Sequence, residues 1–227
     1  MEPENEARRT RAMRELLAAL ALAASAAPGF VPLELPNGER AFDPLTLLVW
    51  LALCAPTVGC ACVAWRVRGW PYAAAIWGVW ASLLSVLAGV SERLIPTPLW
   101  AAATLGGLLA SGLALGHCFP RPRATAAGLA CATVCAVWLP SAPAALDGSW
   151  PVALAEPLFA CSPATLVAEC AGVDWMRVQS VYAGVGTDRF TRSAWPGELA
   201  GPASLLLGCA CWGLAAWIAK RRTKPSS

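Results

Sequence analysis

Charged side chains are scarce in this sequence. Aspartate, glutamate, lysine and arginine account for 14% of its 227 residues, whereas hydrophobic residues account for 57%. A soluble domain carries about 25% charged residues, and no polar stretch here is long enough to form one. The shortage of charge therefore excludes a soluble globular protein and predicts an all-α, polytopic integral membrane protein.

The residue types and motifs that support catalysis are also rare. The sequence has one histidine, His117, and its only lysines are Lys220 and Lys224. It contains no G-x-x-x-x-G-K-[ST] phosphate loop, no G-x-S-x-G elbow and no H-E-x-x-H pair. We therefore predict a non-enzyme with no catalytic residue, cofactor, metal site or nucleic-acid partner, so that any ATP hydrolysis would belong to a partner subunit.

The cysteines do not have the spacing of a redox or metal-binding site. None of the ten cysteines forms a C-x-x-C pair, and most lie in apolar runs, where cysteine behaves as a small hydrophobic residue. Cys161 and Cys170 are the pair that would form a disulfide if they faced an oxidising compartment. The sequence leaves this pairing open.

Six apolar runs approach the ~20 residues that a helix needs to cross a ~30 Å hydrocarbon core. The predicted spans are residues 16–33, 45–65, 73–90, 98–118, 126–146 and 199–219. They form one transmembrane domain, residues 16–219, between a basic N-terminal segment, residues 1–15, and a basic tail, residues 220–227. With the basic segment before it, the stretch 16–27 also has the pattern of a cleaved signal peptide, with Ala24-Ser25-Ala26 as the cleavage site, but we favour a retained span.

Positive charge alternates between successive span ends. The N-terminal segment and the C-terminal tail are rich in arginine or lysine, and the short loops alternate between two arginines and one. The arginines of these loops are Arg40, then Arg66 and Arg68, then Arg93, then Arg121 and Arg123. Because cytoplasmic loops carry the excess of positive charge, the pattern predicts six crossings with both termini cytoplasmic. The expected location is a cell membrane, with a bacterial inner membrane as the simplest case.

Residues 151–175 are apolar but interrupted. Pro157 and the Ser162-Pro163 step divide them into pieces of about ten residues, too short to cross the membrane. Ser162 suits a helix N-cap and Pro163 the first helical position. We predict two short helices joined by a turn, forming a re-entrant hairpin before the last span. One broken transmembrane helix, or a small globular loop, is the alternative.

Glu156 and Glu169 are embedded in this predicted hairpin. Ionisable residues at membrane depth are costly and usually face a cavity or a partner. They are therefore candidate substrate-pathway residues. If the hairpin instead lies shallow in the membrane, both carboxylates reach water and need no such role.

Gly112 and Gly116 form a G-x-x-x-G motif in the fourth predicted span. Small residues at this spacing let two helices approach closely. The motif predicts a helix-packing site, either within the chain or against a second copy.

The predicted arrangement resembles the permease subunit of type-2 ABC exporters. The similarity rests on six spans between basic termini, two short external helices before the last span, and the Cys161-Ser162-Pro163 turn followed by Ala164-Thr165-Leu166. It implies a permease in the lipid membrane that works with a separate cytoplasmic ATP-binding subunit and a second permease copy. The chain departs from the family at residues 66–72, which are too few for a coupling helix. The alternative function is a non-transporting accessory or assembly subunit.

Overall fold

The computed structural model describes residues 33–34, 40–41, 44–64, 69–90, 95–119, 128, 130, 162–173 and 197–222. Five helices have both ends among these residues: α1 (Pro44–Ala64), α2 (Gly69–Val90), α3 (Pro98–Cys118), α4 (Pro163–Cys170) and α5 (Gly197–Arg222). Strands β1 (Leu33–Glu34) and β2 (Arg40–Ala41) pair antiparallel just before α1, with Leu33 opposite Ala41. Apart from this pair, the regular structure of the described residues is helical, as predicted.

Four helices are long and apolar enough to cross a membrane, namely α1, α2, α3 and α5. They correspond to the predicted spans at residues 45–65, 73–90, 98–118 and 199–219. At 1.5 Å rise per residue, the 21 residues of α1 reach about 31 Å, which matches the hydrocarbon thickness. By length and composition, these helices indicate a membrane protein.

Two further predicted spans, residues 16–33 and 126–146, fall largely outside the described residues. Of the fifth span, the structure describes Gly128 and Ala130, and both are helical. The first half of the predicted hairpin, residues 151–161, also lies outside the described part of the chain.

Two helices extend beyond the predicted spans. Helix α2 begins at Gly69 and not at residue 73, which leaves only residues 65–68 between α1 and α2. Helix α5 continues through Arg222, so the predicted basic tail at residues 220–227 begins as helix. Lysine and arginine are good helix formers and stabilise a helix C-terminus through its dipole, so the helix continues into these basic residues.

Helix α3 is the centre of the bundle and contacts each of the other four helices. In the most apolar 18-residue segment of α3, 72% of the residues are buried within the protein, compared with 6% in the corresponding segment of α5. The main core cluster joins Leu47, Leu48 and Leu51 of α1, Trp80 and Leu84 of α2, Leu105 and Leu109 of α3, and Val167 of α4. Burial within the protein is therefore concentrated on α1, α3 and α4.

Helices α1 and α3 run parallel. Near the middle, Gly112 of α3 lies against the Pro56 carbonyl of α1, and one turn later Gly116 lies against Val63. Residue numbers therefore increase in the same direction along both helices. Because α2 joins them through the short links 65–68 and 91–97, it must run in the opposite direction.

Helices α3 and α5 also run parallel. A Cβ on Gly201 would lie 3.0 Å from the Trp100 carbonyl oxygen, and Gly208 lies against the Gly107 carbonyl seven residues further along both helices. The two contacts keep the same offset in residue number. Helix α5 therefore starts at the end of the bundle where α3 starts.

Candidate functional site

Helix α4 is the second half of the predicted hairpin. It begins at Pro163, directly after Ser162 in the N-cap position, as the sequence predicted. Its buried side chains include Ala164, Val167 and Cys170, and it packs on α1, α3 and α5. This eight-residue helix is therefore enclosed by three of the long helices.

The C-terminus of α4 ends in a Schellman motif at Gly172. The Gly172 N–H donates to the Glu169 carbonyl at 2.9 Å, and the Val173 N–H donates to the Ala168 carbonyl at 3.0 Å. Gly172 has a φ of 75°, a left-handed conformation that glycine adopts without strain. The motif satisfies two of the carbonyls that a helix end leaves without partners.

Thr97, at the N-cap of α3, joins α4 to α3. Its hydroxyl donates to the Cys170 carbonyl at 2.6 Å, and its N–H donates to the Ala171 carbonyl at 3.1 Å. Its side chain makes no capping hydrogen bond to α3 itself. The C-terminal end of α4 is therefore held at the N-terminal end of α3 by two hydrogen bonds between residues distant in sequence.

Ser162 occupies the predicted N-cap position, but its side chain does not cap the helix. Its hydroxyl is fully buried and has no hydrogen-bond partner among the described residues. The Thr165 hydroxyl donates to the Ser162 carbonyl at 2.9 Å, and the Leu166 N–H donates to the same oxygen at 3.0 Å. The N-terminal turn is thus closed through the Ser162 backbone, contrary to the role expected for its side chain.

Of the two predicted pathway carboxylates, the structure describes one. Glu169 is half-buried on α4, and Glu156 lies outside the described residues. The neighbouring Cys170 is buried and carries a free thiol. Burial raises the pKa of the Cys170 thiol, while its hydrogen bond with Thr104 lowers the pKa and the charge of Glu169 raises it. A thiol with a raised pKa stays protonated near neutral pH and is a poor nucleophile.

Gly112 and Gly116 lie against α1 of the same chain. The Cys60 thiol donates to the Gly112 carbonyl at 3.1 Å, and Gly59 of α1 in turn lies against the Leu109 carbonyl. Glycine from both helices therefore allows backbone contact at this crossing. The G-x-x-x-G spacing indicated a close packing site on α3. It did not identify Gly59, the glycine of α1 that lies at the same crossing.

A second close crossing, between α3 and α5, was not predicted from the sequence. Gly107 lies against the Ser204 carbonyl, and Gly208 lies against Gly107. Gly201, Ser204 and Gly208 follow one another at helical spacing, which is the pattern that would have indicated the site.

Two tryptophans of α2 place polar indole N–H groups inside the bundle. Trp77 donates to the Ala102 carbonyl at 2.7 Å, which links α2 to α3. Trp80 is 1% exposed, and its N–H has no partner among the described residues. Trp70, at the start of α2, is by contrast 62% exposed.

The described residues contain no group of three or more histidine, cysteine, aspartate or glutamate side chains able to hold a metal ion. What the region around α4 offers is a buried helix with one unpartnered hydroxyl and one half-buried carboxylate. No family model, curated protein or solved structure matches this chain.

Proposed function

We propose that this chain is the membrane-spanning permease subunit of an ABC-type transporter, which works with a separate cytoplasmic ATPase. The observation that carries the proposal is the parallel packing of α3 and α5. This packing constrains how many times the chain crosses the membrane between α3 and α5. The similarity to type-2 exporters depends on that part of the topology.

Two parallel spans require an odd number of crossings between them. The intervening residues, 119–196, hold the predicted span at 126–146 and the interrupted segment at 151–175. If both crossed the membrane, α5 would be antiparallel to α3. The parallel contact of Gly208 with Gly107 therefore supports one crossing plus a segment that returns to the side it entered.

The position of α4 supports the same topology. Thr97 holds the C-terminal end of α4 at the start of α3, and α5 starts at that end too. The chain therefore leaves α4 on the side from which α5 departs. Gly128 lies beside Cys60 and the Pro56 carbonyl, in the C-terminal half of α1, which supports a fifth span that starts on the side where α3 finishes. These placements support a re-entrant hairpin before the last span, in a proposed topology of six spans.

The proposed ATPase contact lies after α3. The link between α1 and α2 is four residues, 65–68, which leaves no room for a coupling helix there. The connection after α3 contains Arg121 and Arg123 and is on the same predicted cytoplasmic side. We propose that this connection, together with residues 1–15, contacts the ATPase.

One observation favours the second candidate, an accessory subunit of another membrane complex. Only 6% of the most apolar window of α5 is buried within the chain. A helix that offers most of its circumference to its surroundings has room for a partner span as well as for lipid. This candidate needs no ATPase.

Co-purification of the tagged chain from its native membranes tests the proposal. We expect a soluble subunit with a phosphate loop to be recovered with the unaltered chain. An Arg121→Glu, Arg123→Glu variant should lose it, because both charges at the proposed contact are reversed. Arg93→Glu is the matched control, a reversal in a loop predicted to lie outside, and it should retain the ATPase.

Recovery of other multi-span proteins without an ATPase would overturn the permease proposal and support the accessory one. Equal loss of the ATPase in both variants would overturn the placement of its contact after α3.

A further inference from the structure

From Leu207 onward, α5 carries an exposed apolar stripe. Leu207, Leu214 and Ile218 are 67%, 59% and 38% exposed, and their spacing of seven and four residues places them on one face of the helix. The contacts of α5 with α3 use Gly201, Ser204 and Gly208, which lie about 60–120° around the helix axis from Leu207. The stripe is therefore separate from the face that packs within the protein.

The stripe ends at a positively charged turn. Arg221 follows Ile218 by three residues, is exposed, and holds its guanidinium 3.7 Å from the centre of the Trp217 ring. Trp217 is 49% exposed and combines an apolar ring with a polar N–H, as residues at a membrane interface do. A cation–π contact restricts the side chain and keeps its charge at the end of the stripe.

No acidic residue counters this charge along α5. After Glu198, in the first turn, the helix contains no aspartate or glutamate, and it ends with Lys220, Arg221 and Arg222. The distance along the axis from Leu207 to Arg221 is about 21 Å at 1.5 Å per residue. This length accommodates an acyl chain of one leaflet with its headgroup at Arg221.

We propose that this surface, the stripe of Leu207, Leu214 and Ile218 together with Trp217 and Arg221, binds one anionic phospholipid. The acyl chain lies along the stripe, and the phosphate accepts hydrogen bonds from the Arg221 guanidinium, which matches phosphate geometry through two parallel donors. Large aliphatic side chains suit a flexible acyl chain, whereas the α5–α3 contact uses small residues for close helix packing. The proposal requires a membrane location and is independent of transport.

Native mass spectrometry of the delipidated full-length chain tests the proposal. The protein is titrated with phosphatidylglycerol and with phosphatidylcholine of identical acyl chains. We expect phosphatidylglycerol to bind several-fold more tightly, because each basic residue near an anionic surface contributes roughly five-fold. Arg221→Ala should remove about that factor for phosphatidylglycerol and leave phosphatidylcholine unchanged.

Lys224→Ala is the matched control, since it removes the same charge three residues beyond Arg221. It should leave the preference for phosphatidylglycerol largely intact. Trp217→Leu keeps an apolar side chain but removes the ring beneath the guanidinium, and we expect it to weaken phosphatidylglycerol binding alone.

Leu214→Ala should weaken the binding of both lipids, because it shortens the apolar stripe without changing its charge. Equal effects of Arg221→Ala and Lys224→Ala would mean that net charge alone causes the preference for phosphatidylglycerol. That result would overturn a specific site at Arg221. Equal binding of the two lipids to the unaltered chain would overturn the proposal as well.

Discussion

Thr97 and Ser162 both occupy helix N-cap positions, and neither hydroxyl caps the helix that follows it. The Thr97 hydroxyl donates to a carbonyl at the end of α4, whereas the Ser162 hydroxyl is buried without a partner among the described residues. Residue type and position predict a local capping bond, but a hydroxyl near a packed neighbour can donate elsewhere. The energetic consequence differs between the two residues.

Ser162→Ala should leave stability unchanged or raise it. A buried hydroxyl without a hydrogen bond carries a desolvation cost of about 1–3 kcal/mol, and the substitution removes that cost. A side-chain cap would instead predict a loss of about 1 kcal/mol. Thermal unfolding of the purified variant in detergent measures the sign.

Thr165→Val is the control for the Ser162 experiment. It removes a hydroxyl that does donate, to the Ser162 carbonyl at 2.9 Å, and should lower the unfolding temperature. If Ser162→Ala lowered it to the same extent, the Ser162 hydroxyl would have a bonding partner after all.

Gly112→Ala should destabilise the bundle by about 1–3 kcal/mol, the usual cost of overpacking a close contact. A Cβ at this position would meet backbone atoms of Pro56, including its Cα at 2.7 Å, and backbone cannot rotate away as a side chain can. The measurement is the free energy of unfolding in mixed micelles.

Gly78→Ala is the matched control on α2, because a Cβ at Gly78 would have nothing within 4 Å. It should be neutral or slightly stabilising, since alanine favours helix over glycine by about 1 kcal/mol. Equal destabilisation by the two substitutions would contradict the close α1–α3 crossing.

At the scale of elements, α4 is short and depends on its neighbours. Eight residues are too few for a stable isolated helix, and α4 is held by burial on α1 and α3 and by its bonds to Thr97. Its C-terminal Schellman motif ends the helix at Gly172. The sequence marked its start at Pro163, but the partners at its end come from residues 96–97, more than 70 positions earlier.

Gly172→Ala should loosen this docking. The left-handed conformation costs a non-glycine residue roughly 1–2 kcal/mol, and the added Cβ would lie 3.1 Å from the Pro96 Cβ and 3.2 Å from the Thr97 hydroxyl. We expect the buried Cys170 to be alkylated faster than in the unaltered chain. Mass spectrometry of the peptide that contains Cys170 measures the rate.

Gly89→Ala, on the open face of α2, is the control for the alkylation experiment and should leave the rate at Cys170 unchanged. An unchanged rate in Gly172→Ala as well would mean that the end of α4 is not what shields the thiol.

At the scale of the whole molecule, the parallel direction of α1, α3 and α5 predicts the sidedness of their ends. The ends at Ala64, Cys118 and Arg222 should lie on one side of the membrane, and the starts at Pro44, Pro98 and Gly197 on the other. Positive charge predicts that the first side is the cytoplasm.

Cysteines placed at Arg66, Arg121 and Lys224 in a chain otherwise free of reactive cysteine should be labelled by a membrane-impermeant thiol reagent only after the cells are opened. Cysteines at Glu39 and Arg93 should be labelled in intact cells. Labelling at Arg121 and Lys224 from opposite sides would contradict the parallel packing of α3 and α5.

The sequence alone determined the class of protein and the approximate limits of the four described membrane-length helices, because length and hydropathy are local properties that a bilayer selects directly. It also marked Ser162-Pro163 as a helix start and Gly112 as a close packing site. Helix α2 and helix α5 extend further than predicted because lysine, arginine and interfacial aromatic residues do not end a helix.

Only the tertiary structure decided which surfaces meet. The direction of α5 relative to α3, the pairing of Gly112 with Pro56, and the donation of the Thr97 hydroxyl to α4 each join residues distant in sequence. An apolar helix has no strongly polar face to indicate which side packs inward, because lipid and protein interior are similarly apolar. Periodicity therefore carries little information here, and close backbone contact at glycine, which depends on the shapes of both partners, selects the arrangement.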